Sequence, residues 1–291
     1  MIIVKLIGGL GNQMFQYAAA RRLSVKHGSL LKLDASIYRT DQAGLTPYKY
    51  ELGCFRLGSK VANKMDIILA GIGGGFVSLI MQLLTFNKKL KMIREKDFNF
   101  DPAIPEAADN IYLIGHWISY KYFRDIEDLI RKEFAFISPQ TGRRKQLSRH
   151  ISSSESVSLH IRRGDYITDR RTNQKHGVCC LDYYKRAISA IEEKTRSPHF
   201  YVFSDDIKWA KENVKISHPT EYVENNINDN ASEDMRLMSR CKHNIIANST
   251  YSWWGAWLNN NPGKTVIAPT KWFNDEGINV SDLIPEGWIK I

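Results

Sequence analysis

The sequence predicts an α/β protein with two domains, each built on an open and mainly parallel sheet. Strand-like and helix-like segments alternate over residues 1–34, and the same alternation returns after residue 156. Between them, residues 138–154 are polar, basic and serine-rich, as linkers often are. A chain of 291 residues also exceeds the usual size of a single core. We therefore expect one domain over residues 1–150 and another over 151–291.

The first domain opens with a strand, a glycine loop, a helix and a second strand. Residues 2–7 are apolar and β-branched, and residues 13–26 are strong helix formers. Gly28 follows as a helix-ending residue, and residues 30–34 form the next strand. This order is typical of the start of an open α/β sheet.

The glycine loop between these elements only partly matches a dinucleotide-binding fingerprint. Gly9 and Gly11 are in place, but Met14 stands where the third glycine belongs. Nicotinamide binding is therefore not predicted. The glycines still allow close approach of a ligand to the backbone and the helix N-terminus, and the alternative is a simple tight turn.

Residues 36–110 carry the fewest signals. Residues 67–86 contain no charge and are long enough to span a bilayer, but Gly71 and three further glycines interrupt them. A buried helix pair or an interfacial segment is favoured, and the basic flanks suit peripheral contact with anionic lipid. After a strand at 111–114, a helix is expected over 120–134, and Trp117 and Tyr120 are candidates for core packing or sugar stacking.

The second half supplies further alternating elements. Residues 156–161 alternate polar and apolar side chains, as in a half-buried strand. The remaining expected strands are 200–203, 244–247 and 265–268, and the expected helices are 181–196, 207–214, 232–239 and 253–259.

The chain carries 41 basic and 31 acidic residues, which gives a net charge of +10. This charge favours a polyanionic partner such as a nucleotide, nucleic acid or anionic membrane. The basic residues are dispersed, however, and form no clear nucleic-acid-binding helix. Four cysteines without metal-site spacing, and an N-terminus that begins as a strand, lead us to expect a cytoplasmic protein without a signal peptide.

Polar side chains follow three strands of the second half. His160 and Arg162 end the first, Asp205 and Asp206 follow the second, and residues 248–252 follow the third. Ligands bind at the carboxyl ends of strands in such sheets, and arginine, hydroxyls and a helix N-terminus together suit a purine diphosphate. The alternatives are a salt-bridged turn, helix caps and a core histidine.

Two features of this set limit its chemistry. In a regular strand Arg162 shares a face with His160, while Arg163 points to the other face, so Arg163 is expected to contact the scaffold. The adjacent carboxylates of Asp205 and Asp206 lack a convergent third ligand, so no metal site is expected.

Four motifs lie in order along the chain: GGLGNQMFQYA from Gly8, HIRRGDY from His160, FSDD from Phe203 and NSTYSWWGAWL from Asn248. Together they resemble glycosyltransferase family 11, the fucosyltransferases that make α-1,2-fucosyl galactosides. The resemblance implies a GT-B fold of two Rossmann-like domains facing a central cleft. It also implies GDP-fucose as donor, inversion at the anomeric carbon and no cofactor or metal.

The same resemblance assigns roles to individual residues. Arg162 would hold the pyrophosphate, His160 would lie near guanine and Asp206 would recognise it. Asp165 would be either the catalytic base or only a residue that orients an arginine. The remaining donor-binding candidates are Arg163, Asp205, Asn248, Ser249, Thr250 and Ser252. The loop residues Gly9, Gly11, Asn12 and Gln13 would face donor and acceptor.

The function expected from these motifs is transfer of L-fucose to the 2-hydroxyl of a galactose in an oligosaccharide or glycolipid. The C-terminal domain would bind the donor and the N-terminal domain the acceptor. A role in bacterial surface polysaccharide synthesis, at the inner face of the inner membrane, would fit. The alternatives are a fucosyltransferase of another linkage or protein acceptor, and a non-catalytic protein that binds nucleotide or nucleic acid.

Overall fold

The structure, a computed structural model, describes residues 1–39, 48–71, 90–224, 231–275 and 277–291. The chain divides into two compact units, residues 1–137 with 281–283, and residues 138–280 with 284–291. The predicted boundary at residue 150 lies within a helix, Gly142–Ser153, that belongs to the second unit. Most of the apolar segment 67–86 lies outside the described residues.

The first unit contains a parallel sheet of five described strands in the order β3-β2-β1-β5-β4. Its strands are β1 (Ile2–Lys5), β2 (Leu31–Asp34), β3 (Lys60–Val61), β4 (Lys91–Arg94) and β5 (Ile111–Ile114). Its described α-helices are α1 (Leu10–His27), α2 (Lys64–Leu69) and α3 (Glu127–Glu133). In β1, Ile2, Ile3 and Val4 are fully buried, as expected for the central strand of a parallel sheet.

The second unit contains a parallel sheet of six described strands in the order β11-β10-β9-β6-β7-β8. These are β6 (Ser156–Ile161), β7 (His199–Ser204), β8 (Thr220–Val223), β9 (His243–Ile245), β10 (Val266–Ala268) and β11 (Ile289–Lys290). The α-helices in its described part are α4 (Gly142–Ser153), α5 (Gly164–Thr168), α6 (Arg170–His176), α7 (Leu181–Glu192), α8 (Ile207–Asn213), α9 (Ala231–Met238) and α10 (Thr250–Leu258).

The order of this second sheet determines where a ligand can bind. The first strand of the unit, β6, lies between β7 and β9, so the chain winds outward in both directions from it. In a doubly wound sheet, the connections diverge at this point and leave a crevice beyond the carboxyl ends of the two central strands. Those two ends are followed here by Arg162 and by Ile246–Asn248.

The α/β class and the two parallel sheets confirm the sequence prediction, and several details differ from it. Strand β6 is buried along its whole length rather than half-buried. Its two serines are accommodated because Ser158 Oγ accepts from Asn244 Nδ2 at 2.7 Å and Ser156 Oγ accepts from the Lys242 N–H at 3.1 Å. Buried hydroxyls are tolerated when they are hydrogen-bonded in this way.

The prediction of a helix over residues 120–134 is also wrong for the first half of that range. The chain makes two 3₁₀ turns, Tyr120–Tyr122 and Arg124–Ile126, before α3 begins. Helices α5 and α6 and the strands β3, β4, β8 and β11 were not predicted, and most of the expected linker 138–154 forms helix α4. By contrast, Gly28 ends α1 in the left-handed conformation with φ +58°, and its N–H returns to the carbonyl of Val25.

None of the helices in the described ranges has both the length and the apolar character required to cross a bilayer. All four cysteines lie in those ranges, and none forms a disulfide.

Candidate active site

The polar residues predicted at three strand ends meet at one edge of the second sheet. Strand β6 pairs with β7 on one side and with β9 on the other, so their carboxyl ends lie side by side. Side-chain contacts join the loops that follow: Arg162 reaches Asp205, and the Tyr166 hydroxyl donates to the carbonyl of Asn248 at 3.3 Å.

The two arginines after β6 have different surroundings. Arg162 forms ion pairs with Asp165 and, through Nη1 at 2.8 Å, with Asp205. Its guanidinium carbon lies 5.2 Å from the centre of the Tyr166 ring. Arg162 therefore sits between two carboxylates, with about a quarter of its side chain exposed at the sheet edge.

Arg163 packs against the beginning of α8. Its Nε donates to Asp206 at 3.2 Å, and its guanidinium lies 3.8 Å above the Trp209 ring. A stacked guanidinium at this distance makes a favourable cation–π contact. Arg163 is thus bound to the scaffold, whereas Arg162 contacts the carboxylates of both neighbouring loops and is 27% exposed.

The two aspartates after β7 also make different contacts. Asp206 caps α8, because its Oδ1 accepts from the Trp209 N–H at 3.1 Å. Asp205 instead bridges both arginines: Oδ1 accepts from the Arg163 N–H at 2.8 Å, and Oδ2 contacts Arg162. A Cβ at Gly164 would lie 2.6 Å from Asp205 Oδ2, so glycine leaves the space that this carboxylate occupies.

His160, two residues before Arg162, is buried and neutral. It is 5% exposed, and its Nδ1 has no hydrogen-bond partner among the described residues. Burial, assisted by the positive charge of Arg162, lowers the pKa of His160 to about 3. Its ring lies 5.6 Å from that of Tyr251 in the first turn of α10.

The turn after β9 is largely buried: Asn248, Ser249 and Ser252 are 2%, 7% and 1% exposed. Asn248 is buried, and its Nδ2 donates to the carbonyls of His176 at 3.0 Å, Gly177 at 3.3 Å and Trp272 at 3.2 Å. Ser249 precedes α10 without capping it through its side chain, and Ser252 Oγ donates to the Ser249 carbonyl at 3.3 Å. Thr250 is the first residue of α10, whose N-terminus carries partial positive charge.

Sequence reasoning missed a layer of residues beside this turn. Tyr166 stacks on His176 with ring centres 4.9 Å apart, and His176 contacts Phe273 at 5.0 Å. Burial, with a smaller effect of Lys175, lowers the pKa of His176 to about 4. The tyrosine of the HIRRGDY motif was the one available signal, but its partner in α6 could not be inferred without the fold.

The predicted loop residues of the first unit lie at the carboxyl end of its central strand, β1. Gly9 is the N-cap residue of α1, and Gly11 and Asn12 lie in the first turn of that helix. Gln13 is fully buried: its Nε2 donates to the carbonyls of Gly8 at 2.9 Å and Lys49 at 2.8 Å, and its Oε1 accepts from the Glu51 N–H at 3.0 Å. The Gln13 side chain thus fixes the loop.

Asp34, the acidic residue at the end of β2, is also hydrogen-bonded within the first unit. It is 3% exposed, accepts from the Tyr112 hydroxyl and accepts from the Ser36 N–H at 2.9 Å. Within the described residues, no group of three or more histidine, cysteine, aspartate or glutamate side chains is arranged to hold a metal ion.

Comparison with known proteins shows a protein family that matches the whole chain. The family model described as "Glycosyl transferase family 11" matches residues 1–291. An Escherichia coli α-1,2-colitosyltransferase is 35% identical over 100% of this chain and 99% of its own length. The O-antigen biosynthesis glycosyltransferase WbnK of Escherichia coli is 38% identical over 98% and 99%. Galactoside α-(1,2)-fucosyltransferase 2 of Hylobates lar is 24% identical over 89% of this chain and 69% of that protein.

Solved structures resemble this chain at low sequence identity. The fucosyltransferase NodZ from Bradyrhizobium aligns with a TM-score of 0.51 and 14% identity, over 87% of this chain and 91% of that one. A mutant of Arabidopsis thaliana FUT1 in complex with GDP aligns with a TM-score of 0.50 and 12% identity, over 99% and 75%. This likeness concerns the fold, and it confirms the GT-B fold expected from the sequence.

Proposed function

The chain belongs to glycosyltransferase family 11 and is a glycosyltransferase, and we propose that it transfers L-fucose from GDP-β-L-fucose to the 2-hydroxyl of a galactose, with inversion. The observation that carries this proposal is the meeting of Arg162, the α10 N-terminus and buried His160 at the switch point of the second sheet. A nucleoside diphosphate requires cationic and N–H donors at such an edge.

The proposed reaction needs stabilisation of its leaving group. The acceptor hydroxyl gives up its proton to a base, for which Asp165 is a candidate, as its oxygen attacks C1. The bond from C1 to the phosphate oxygen breaks, and GDP departs with the bonding electrons. Arg162 and the N-terminus of α10 would stabilise the charge that develops on the pyrophosphate. This is the work that a divalent cation does in other transferases, so we expect transfer to proceed without a metal.

The guanine end of the donor would lie beside His160 and the Asp205–Asp206 pair. A neutral imidazole is compatible with stacking or hydrogen bonding there, and the low pKa of His160 keeps it neutral at physiological pH. Asp206 retains its exposed edge, with 39% of the side chain accessible, although it also caps α8. A carboxylate that accepts from the guanine N–H groups would select guanine over adenine. Arg163 and Asn248 would act by holding the loops around this site.

Asp165 has two candidate roles, catalytic base and positioning residue for Arg162. Its ion pair with Arg162 supports the positioning role. The variant Asp165→Asn separates them. Loss of a base lowers kcat and leaves GDP affinity unchanged, whereas loss of a positioning contact weakens GDP binding as well.

The donor sugar has a second candidate, because a relative at 35% identity is an α-1,2-colitosyltransferase. Colitose is fucose without its 3-hydroxyl, so GDP-colitose would present the same nucleotide and pyrophosphate to the site. A site built to hydrogen-bond that hydroxyl rejects the deoxy sugar, whereas a site without such a partner accepts both. The acceptor would be a galactose-containing glycan of surface polysaccharide, as the E. coli O-antigen relative suggests, reached from the cytoplasm by peripheral membrane contact.

The decisive experiment is incubation with GDP-fucose or GDP-colitose and a panel of galactose-terminated acceptors in the presence of EDTA. GDP release would be measured, and the product linkage would be assigned by NMR. An α-1,2-linked fucoside is the expected product. A different linkage, transfer from GDP-colitose alone, or activity that EDTA abolishes would each overturn the corresponding part of the proposal.

A further inference from the structure

A second candidate site lies wholly in the first unit, at the carboxyl ends of β4 and β5. A cavity of about 230 Å³ opens there. Its walls include Arg94, Glu95, Asn99, Phe100, Trp117 and Tyr122. None of these residues takes part in the proposed donor chemistry, and the sequence predicts either core packing or sugar stacking for Trp117.

Two of the residues that line this cavity each carry a buried polar atom without a hydrogen-bond partner among the described residues. The two atoms are Trp117 Nε1, on a side chain that is 1% exposed, and Asn99 Oδ1. Buried polar atoms are nearly always hydrogen-bonded in native proteins, so each such exception needs an explanation. One atom is a donor and the other an acceptor. A hydroxyl group, which both donates and accepts, matches this pair.

The backbone of Trp117 is held in an unusual conformation at the same place. Its φ is +56°, in the left-handed region that bulky residues rarely adopt. The Glu95 carboxylate fixes it by accepting from the N–H groups of His116 at 2.6 Å and Trp117 at 2.7 Å. Gly115 permits this, because a Cβ there would lie 2.4 Å from Glu95 Cβ. Conformations of this kind persist where the surroundings enforce them, and they cluster at binding sites.

The remaining walls combine aromatic faces with charged groups. Phe100 lies 4.9 Å from Tyr122, and Trp117 meets the edge of Tyr122 at 5.7 Å, measured between ring centres. The Tyr122 hydroxyl is already used, since it accepts from the Asp101 N–H at 3.0 Å and donates to the Asn99 carbonyl at 3.2 Å. This tyrosine therefore fixes the loop that carries Asn99, and leaves Asn99 Oδ1 and Trp117 Nε1 for a ligand.

We propose that this cavity binds one pyranose ring of the acceptor glycan. A sugar ring presents an apolar C–H face, which packs on aromatic rings, and hydroxyls for the unpartnered donor and acceptor. Sites for drug-sized ligands begin at about 300 Å³, so this smaller cavity suits a single ring. The proposal rests on the proposed function in naming an acceptor glycan, but sugar binding can be tested without any donor.

The test uses the full chain and four methyl glycosides: β-D-galactopyranoside, β-D-glucopyranoside, N-acetyl-β-D-galactosaminide and α-L-fucopyranoside. Dissociation constants of the glycosides would be measured by ligand-observed NMR without nucleotide. KM values for donor and acceptor would then be measured in the transfer assay. Trp117→Phe keeps an aromatic ring and removes the indole N–H. Asn99→Ala removes the hydrogen-bond acceptor Oδ1 and keeps the main-chain hydrogen bonds of residue 99. Trp288→Phe, in the second unit, is the matched control.

At least one glycoside should bind, and each test variant should weaken it about fivefold to tenfold, the value of one hydrogen bond, while Trp288→Phe leaves it unchanged. Acceptor KM should rise by the same factor, with donor KM unchanged. Failure of all four glycosides to bind, or wild-type affinity in both variants, would overturn the proposal. Sugar binding that depends on Trp117 without transfer from GDP-fucose would refute the donor assignment alone. Transfer with wild-type acceptor KM in both variants would refute the subsite alone.

Discussion

The substitution Gly164→Ala tests whether Asp205 positions Arg162 for the donor. The new Cβ would lie 2.6 Å from Asp205 Oδ2, whereas ordinary contact begins at 3.4 Å. The carboxylate must therefore withdraw by about 0.8 Å, the difference between these two distances. The displaced atom, Asp205 Oδ2, is the one that contacts Arg162 Nη1 at 2.8 Å, and a shift of this size takes that contact beyond hydrogen-bond range.

The effect on stability should be small. The lost bond contributes about 1 kcal/mol, because both partners are about a quarter exposed and solvent screens them. Gly164 has no positive φ, so alanine recovers about 0.4–1 kcal/mol through the lower entropy of the unfolded chain. The net change in the free energy of unfolding is thus expected to stay within about 1 kcal/mol, a shift in Tm of a few degrees at most.

The effect on donor binding should be much larger. A guanidinium that loses one of its two carboxylate partners no longer has a fixed orientation, and bidentate phosphate contacts depend on orientation. We expect GDP affinity to fall by about tenfold and kcat to fall with it. The assays are calorimetric titration with GDP, single-turnover transfer and thermal unfolding.

Gly263→Ala is the matched control in the same unit, because its Cβ would meet only Asn261 Oδ1, at 3.8 Å. It should leave GDP affinity unchanged and raise Tm slightly, because the same entropic gain applies to it. Wild-type GDP affinity in Gly164→Ala would refute the inference that Asp205 positions Arg162. A loss of stability of several kcal/mol would instead show that Gly164 serves the fold.

Four further outcomes follow from the contacts. Arg162→Ala should abolish transfer, and Arg162→Lys should recover little of it, since lysine lacks the planar fork; near-normal turnover in single-turnover assays would exclude the pyrophosphate role. The native pKa of His160, about 3, lies below its unfolded value of about 6.5, so stability is complete above pH 6.5 and falls as pH drops toward 3. His160→Asn should remove up to about 1.4 kcal/mol per pH unit from the slope measured by urea unfolding, and an unchanged slope would contradict this. Asn248→Ala and Gln13→Ala should each cost about 2–3 kcal/mol in thermal unfolding, because buried carbonyls lose their donors; Ser249→Ala, without a capping bond to lose, should keep stability and weaken GDP binding.

The sequence allowed the class of the fold to be predicted because its main signals are local. Runs of buried apolar residues marked β1, β2, β5 and β7 to within a few residues, and Gly28 marked the end of α1. Local signals fail where burial is decided by distant partners. The serines of β6 predicted an exposed strand face. Inside the sheet, however, they accept hydrogen bonds from the Asn244 side chain and the Lys242 N–H, which lie far along the chain.

The order of amino acids shows which residue types follow the strands, and it contains the motifs that identify the family. How those residues are used depends on the fold, because hydrogen-bond partners are set by sheet order and loop packing. Asp205 bridges both arginines while Asp206 caps a helix, although the two are neighbours in the chain. The cavity beside Trp117 depends on the same kind of information, since Glu95 and Trp117 meet only through the pairing of β4 with β5.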